Sequence, residues 1–309
     1  MILCCGEALI DMLPRQTTAD EPAFAPYPGG AVFNTAIALG RLGAPSGFFS
    51  GLSTDLFGEM LQQALAASNV SATHAVQSAR PTTLAFVKLV DGQATYAFYD
   101  ENTAMRMLTP GDLPDLPADI SALFFGGISL VGEPCGSAFE ALMIREAPSR
   151  VTMIDPNIRP SFITDEPAYR ARINRMIALA DIVKISDEDL HWICQDDSSD
   201  NIGALARDLL AQGPSLICVT EGAKGARGIT RTAEVTVSAP KVTVADTVGA
   251  GDTFNAGVLA ALYQAGALSK PALQNLDDRI LTEALTLGAH SAAITVSRAG
   301  ANPPWASEI

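Results

Sequence analysis

Short apolar, β-rich runs recur along the whole chain, and longer amphipathic segments separate them. The runs are ILCC (2–5), GFFSGL (47–52), ALFFGGI (122–128), VTMID (151–155), DIVKIS (181–186) and SLICVT (215–220). Between them lie AVFNTAIALGRLG (31–43), AYRARINRMIALA (168–180) and NIGALARDLLAQG (201–213), whose apolar residues follow helical spacing. A strand without a polar side must be covered on both sides. The alternation therefore predicts an α/β fold, a mainly parallel sheet with helices on both faces. With 309 residues and 48% hydrophobic side chains the chain can bury such a core.

One region breaks the rhythm. TTLAFVKLVDGQATYAFYD (82–100) alternates apolar and polar residues about Asp91-Gly92, a strong hairpin signal. With the residues near 12–28 it predicts a small antiparallel β lid beside the core. The expected division is a core of 1–11, 29–80 and 109–309 and a lid of 12–28 and 81–108. Such an appendage serves as a cover over a site or as an oligomer interface, and a homodimer through the lid is expected. The plainer alternative is an edge hairpin with no function.

A formal net charge of −14 argues against nucleic acid or an anionic membrane as partner. No run of about 18 apolar residues exists, so no membrane span is expected. The opening MILCCGEALIDMLPR lacks a basic start, and Glu7 interrupts it, which reads as a first strand rather than a signal peptide. Five cysteines without CxxC spacing predict neither a disulfide framework nor a zinc site, and fit a reducing cytoplasm.

VADTVGAGDTFNAG (244–257) carries the chemistry. KVTVAD (241–246) alternates like a strand, and Phe254, Val258, Leu259 and Leu262 recur at helical spacing. TVGAG is then a strand-to-helix turn with Asp252 in the first helical turn. The amides of Gly249, Ala250, Gly251 and Asp252 have no intrahelical acceptor, so they favour an anion. A fixed carboxylate would weaken a resting phosphate site. The conflict disappears if Asp252 takes a proton from an attacking hydroxyl while the amides hold transferring phosphoryl oxygens. Taken alone, Asp252 could simply cap the helix. No GxxxxGK[ST] loop, GxGxxG fingerprint, or HRD and DFG pair is present.

Two segments resemble the ribokinase-like (PfkB) carbohydrate kinases: DTVGAGDTFNAG (246–257), and PGGAVFNTAIALGRLGA (28–44) with its Gly-Gly and Asn. The resemblance spans essentially the whole chain. It implies Asp252 as catalytic base, Gly249, Ala250 and Gly251 with it as anion hole, and Asp11, Gly30 and Asn34 as sugar contacts. DPNIRPSF (155–162) resembles a segment whose Asn157 and Arg159 approach substrate and phosphate. VTEGAKGARG (219–228) resembles the nucleotide loop, implying Thr220, Gly222, Lys224 and Gly225.

KISDED (184–189) departs from the family's Asn-Glu-x-Glu; Ser186 is implied near the nucleotide, with Asp189 or Glu188 holding magnesium through water. Asp246 and Val248, with carbonyls of Thr295, Arg298 and Gly300, are implied for a potassium ion. The implied activity is ATP- and Mg2+-dependent phosphorylation of a primary sugar hydroxyl. FYDENTAMRMLTPGDLP (98–114) is similar to bacterial fructokinases and, with Ser186, favours fructose. Tyr96, Asn102 and Arg106 could reach substrate there. If Arg106 enters the pocket, an acidic sugar such as 2-keto-3-deoxygluconate is the alternative. A nucleoside kinase and a non-catalytic sugar- or nucleotide-binding protein remain as further readings.

Overall fold

The computed structural model describes residues 1–90, 93–196 and 201–309, and their side chains except at 88–90 and 93–96. The strands in chain order are β1 (Ile2–Cys5), β2 (Leu9–Gln16), β3 (Pro22–Gly29), β4 (Ser46–Phe49), β5 (Gly51–Ser53), β6 (Val70–Ser71), β7 (Val76–Ser78), β8 (Thr83–Val90), β9 (Gln93–Tyr99), β10 (Ala122–Gly126), β11 (Val151–Asp155), β12 (Ile182–Ser186), β13 (Leu216–Thr220), β14 (Ala226–Ile229) and β15 (Glu234–Val237). The helices are α1 (Ala31–Arg41), α2 (Leu56–Ala67), α3 (Cys135–Glu146), α4 (Glu166–Leu179), α5 (Asp187–Cys194), α6 (Ile202–Leu210), α7 (Ala250–Gln264), α8 (Lys270–Gln274) and α9 (Asp278–Val296).

The large sheet runs β15-β14-β13-β12-β11-β10-β1-β4-β6. It is parallel from β6 to β13, with β14 and β15 added antiparallel. Period-2 alternation splits each buried strand between two cores. Ile2 and Cys4 pack with α1, α7 and α9 on one face. Leu3 and Cys5 pack with α3, α4 and α6 on the other. Helices cover both faces, as the sequence pattern requires.

The parallel strands all end at one edge, where open α/β sheets bind ligands. Glu7, just after β1, braces that edge. Helix α1 has no side-chain cap of its own at Gly30. Glu7 Oε1 instead accepts from the amides of Ala31 (2.9 Å) and Val32 (3.4 Å), and Oε2 from Ser129 (3.2 Å). One buried carboxylate thus fixes α1 against the turn that follows β10.

The second sheet has the order β3-β2-β8-β9. The pairs β2–β3 and β8–β9 are antiparallel, as expected, but the hairpins join through a parallel β2–β8 pairing. A parallel pair needs a long crossover; residues 30–82, part of the core, supply it. Asp91-Gly92 lies outside the described residues.

Two further expectations are corrected. GFFSGL is two strands in different sheets, β4 and β5. KVTVAD is not a strand: residues 241–246 are irregular, and Val244 is 59% exposed. The amides of Ala245 and Asp246 donate to the Val296 carbonyl at the end of α9, not to a neighbouring strand.

Glu7→Ala leaves buried amides without an acceptor. It is expected to lower unfolding free energy in urea at pH 7 by about 2 kcal/mol; an unchanged midpoint would contradict the bracing role.

Candidate active site

Helix α7 begins after Gly249, whose φ of +78° turns the chain into the helix. The Ala250 amide makes one long bond, 3.4 Å to the Thr247 carbonyl, and those of Gly251 and Asp252 donate to no acceptor among the described residues. Asp252 is 7% exposed. Asn34 Nδ2 donates to its Oδ2 at 2.9 Å, and the Thr35 hydroxyl to its carbonyl at 3.2 Å. Both come from α1, so α1 and α7 meet at the carboxylate. Burial, with the charges of Asp155 and Glu7, pushes Asp252 up to about 7, while Asn34 and Lys184 act the other way. A carboxylate so placed is a far stronger base than a free one and is still ionised in part at neutral pH.

Beneath this turn lies a polar cluster of three residues that fall inside the quoted motifs but were given no role there. Asp155 ends β11, Lys184 sits within β12 and Asn255 is on α7, all buried. Asp155 Oδ2 accepts from Lys184 Nζ at 2.9 Å and from Asn255 Nδ2 at 2.8 Å. A lysine inside the apolar run DIVKIS was the available signal, since a buried cation needs a partner.

Asp11 lies on β2, within the small sheet. It is half-buried, its carboxylate makes no hydrogen bond among the described residues, and burial pushes it up to about 6. Gly30 stands directly before α1. The small sheet touches the loop after β11 through Phe98 and Phe162, edge-on with centroids 4.2 Å apart.

Asp189 opens α5 at the same edge. Its Oδ2 accepts from the Ile158 amide at 3.3 Å, and burial, then the charge of Asp155, pushes it up to about 6. Glu188 is exposed. The Ser186 hydroxyl caps α5 by accepting from the Asp189 amide at 3.0 Å. Asn157 is half-buried with φ +46°, and Arg159 is exposed, donating to the Ile158 carbonyl at 2.9 Å. Thr220 ends β13, and Gly222, Lys224 and Gly225 form the connection to β14, with Lys224 exposed.

Asp246 ties two turns together: Oδ1 accepts from the Val248 amide (3.0 Å) and Oδ2 from the Gly300 amide (2.9 Å). The Thr295 carbonyl accepts from the Arg298 amide at 3.0 Å, and the Arg298 side chain pairs with Glu308. Each Asp246 oxygen keeps a lone pair for a cation. Among the described residues no group of three or more His, Cys, Asp or Glu forms a metal cage.

Two residues sit differently from expectation. Arg106 is committed to the Asp100 carboxylate and donates through Nε to the Glu133 carbonyl at 2.7 Å, so its charge is already paired. Asn102 is exposed, in a turn at φ +59°. The Tyr96 side chain lies outside the described part.

A buried acid beside unbonded amides, at the carboxyl edge of a parallel sheet with a small sheet alongside, is an arrangement suited to phosphoryl transfer onto a hydroxyl. The chain belongs to the pfkB family of carbohydrate kinases, whose family model matches residues 1–308. It is 58% identical over 281 residues to a fructokinase of Rhizobium leguminosarum bv. trifolii, covering 91% of this chain and 85% of the relative. Its fold matches a fructokinase with bound ATP from Xylella fastidiosa at TM-score 0.88 and 30% identity, over 97% of this chain and 93% of the other. It also matches a fructokinase double mutant from Vibrio cholerae O395, bound to fructose, ADP and a potassium ion. There the TM-score is 0.83 and identity 26%, over 97% and 93% of the two chains.

Because burial raises its pKa above the ordinary 3.8, Asp252 costs the fold nothing when protonated and progressively more as pH rises toward 7. Asp252→Asn is therefore expected to be more stable than wild type by on the order of 2 kcal/mol at pH 8, with the gain vanishing near pH 4. Denaturant titrations at the two pH values check this.

Proposed function

We propose that the protein is an ATP-dependent fructokinase that transfers the γ-phosphoryl group to the primary hydroxyl of D-fructose, giving fructose 6-phosphate. The observation that carries the chemistry is the Asp252 carboxylate lying beside two unbonded amides. The 58% identity to the Rhizobium fructokinase supports fructose as the sugar. The pairing of Arg106 with Asp100 supports a neutral sugar over an acidic one.

In this reading Asp252 accepts the proton as the hydroxyl oxygen attacks the γ-phosphorus. The bond to the bridging oxygen breaks, and ADP leaves. The amides of Ala250, Gly251 and Asp252, in the turn set by Gly249, steady the equatorial oxygens. Asp11, with its unpartnered oxygens, takes sugar hydroxyls; Gly30 permits close approach, and Asn34 orients both sugar and base. Asn102 lies at the rim. Asn157 and Arg159 border the phosphates, and Thr220, Gly222, Lys224, Gly225 and Ser186 border the nucleotide.

Magnesium, held through water by Asp189, would offset the triphosphate charge in a chain that is itself strongly acidic. Asp246 and the carbonyls of Val248, Thr295, Arg298 and Gly300 would ligate potassium. The small sheet closes over the sugar and excludes water. Free cysteines throughout the chain fit a reducing cytoplasm.

Release of ADP from ATP with fructose, 2-keto-3-deoxygluconate and nucleosides tests the reading. Fructose should give the highest kcat/KM, with an acid limb near pH 7 because the base must be ionised. Asp252→Asn should lower kcat about 10³-fold with KM for fructose little changed. Undiminished turnover in that variant would remove the base assignment.

The same reading includes a homodimer through the outer face of the small sheet. Phe24 (48% exposed) and Tyr99 (62% exposed) flank Phe86 there, with ring centroids at 5.0 and 5.5 Å. Sedimentation at micromolar concentration should show a dimer for the wild type and a monomer for Phe24→Asp/Tyr99→Asp. A monomeric wild type would refute the interface.

A further inference from the structure

We propose that Lys184 is a positioning residue for phosphoryl transfer: paired with Asp155 and set against Gly251, it holds the amide turn at the start of α7 and supplies positive charge to the cluster around the base. The inference rests on the reading of Asp252 as that base.

Lys184 is buried at the end of the sheet that faces the site, and its single acceptor among the described residues is Asp155 Oδ2 at 2.9 Å. An ammonium has three donors, so this one is held incompletely in a place where burial is costly. Burial works against the charge, and the carboxylates of Asp155, Asp189 and Asp252 together more than offset it. Lys184 Nζ also stands where a side chain at 251 would begin: a Cβ on Gly251 would come within 2.9 Å of it. The glycine thus lets the helix start press against the ammonium. Asn255, one turn along α7, donates to the same Asp155 oxygen at 2.8 Å, so β11, β12 and α7 converge on one atom.

The charged groups facing Asp252 come from several elements. Glu7 follows β1, Asp155 ends β11 and Lys184 belongs to β12; Asn34 of α1 is the neutral donor. Of these, Lys184 alone is a cation. It opposes burial and the two carboxylates, Asp155 and Glu7, that push Asp252 toward its protonated form. Two buried oxygens, Asp155 Oδ1 and Asn255 Oδ1, have no partner among the described residues and mark the cluster as a polar pocket rather than a closed ion pair.

The test is the pH dependence of kcat/KM with fructose for wild type, Lys184→Met and Asp155→Asn, with thermal unfolding to verify the fold. Lys184→Met should move the acid limb upward by about 1 pH unit and lower kcat at pH 6 more than at pH 8. Asp155→Asn, nearly isosteric, should move the limb downward. If Lys184→Met does not fold, Lys184→Gln, which keeps a donor for Asp155, takes its place with the same upward shift expected. A lower kcat with an unmoved limb would mean a merely structural lysine and overturns the proposal, as would shifts of the same sign in both variants. Asp252→Asn separates the two levels. If it is inactive while the limb of the lysine variant stays fixed, only the role of Lys184 fails; if it is fully active, the base assignment and this proposal fall together.

Discussion

The hydrogen bond from Asn34 to Asp252 joins the two helices that frame the site, and the site's geometry depends on it. Helix α1 is placed at its N-terminus by Glu7 and packs along α7. Helix α7 is placed by the Gly249 turn and by Asn255 reaching down to Asp155. Where the two meet, one carboxylate receives an amide from α1 and stands next to unbonded amides of its own helix. A shift of α1 would move the donor, the sugar contacts expected near Gly30 and Asn34, and the orientation of the base together.

Acidic character raises a problem that the local structure answers. A chain of net charge −14 has to receive a triphosphate, and the edge that would receive it is rich in carboxylates: Glu7, Asp155, Asp189 and Asp252. Oriented backbone amides contribute partial positive charge without adding a side chain. Lys184 contributes a full charge from below, out of water, where screening is weak. Lys224 and Arg159 lie exposed at the rim. The positive potential is therefore local and built into the end of the sheet, and the overall charge remains free to serve solubility.

Much of this was legible in the sequence, for identifiable reasons. Gly-Ala-Gly before a helical pattern dictates a turn with free amides, so Asp252 could be placed in the first helical turn from spacing alone. The alternation of apolar runs with amphipathic segments fixed the layer order, because strands such as VTMID have no side that could face water. Lys184 was not legible as part of the site. Its partner Asp155 lies 29 residues earlier in a different strand, and spacing along a chain says nothing about which strand is the neighbour. Glu7 read as an interruption in an apolar run; its purpose appears only once α1, 24 residues on, is found without a cap. KVTVAD misled for the opposite reason: alternation marks a strand only when the segment pairs with a neighbour, and here the Ala245 and Asp246 amides bond instead to the end of α9.

Burial of Asp252, the proposed base, creates a tension between that role and folding. Removing Asp252 from water strengthens it as a base, since its pKa approaches the pH at which it would work. The same burial penalises the charged form that the proposed base role requires, and adjacent carboxylates add to the penalty. Without compensation the group would stay protonated at neutral pH and accept no proton. Asn34 and Lys184 supply the compensation from opposite sides, the one by a hydrogen bond to the charged form and the other by its charge. The useful range is narrow: too little stabilisation gives a neutral acid, too much gives an ordinary aspartate with little appetite for a proton. A neutral donor above and a paired lysine below hold the carboxylate between those limits. The pairing of Lys184 with Asp155 tempers the charge rather than wasting it, because a bare buried ammonium would carry the base past the point of use.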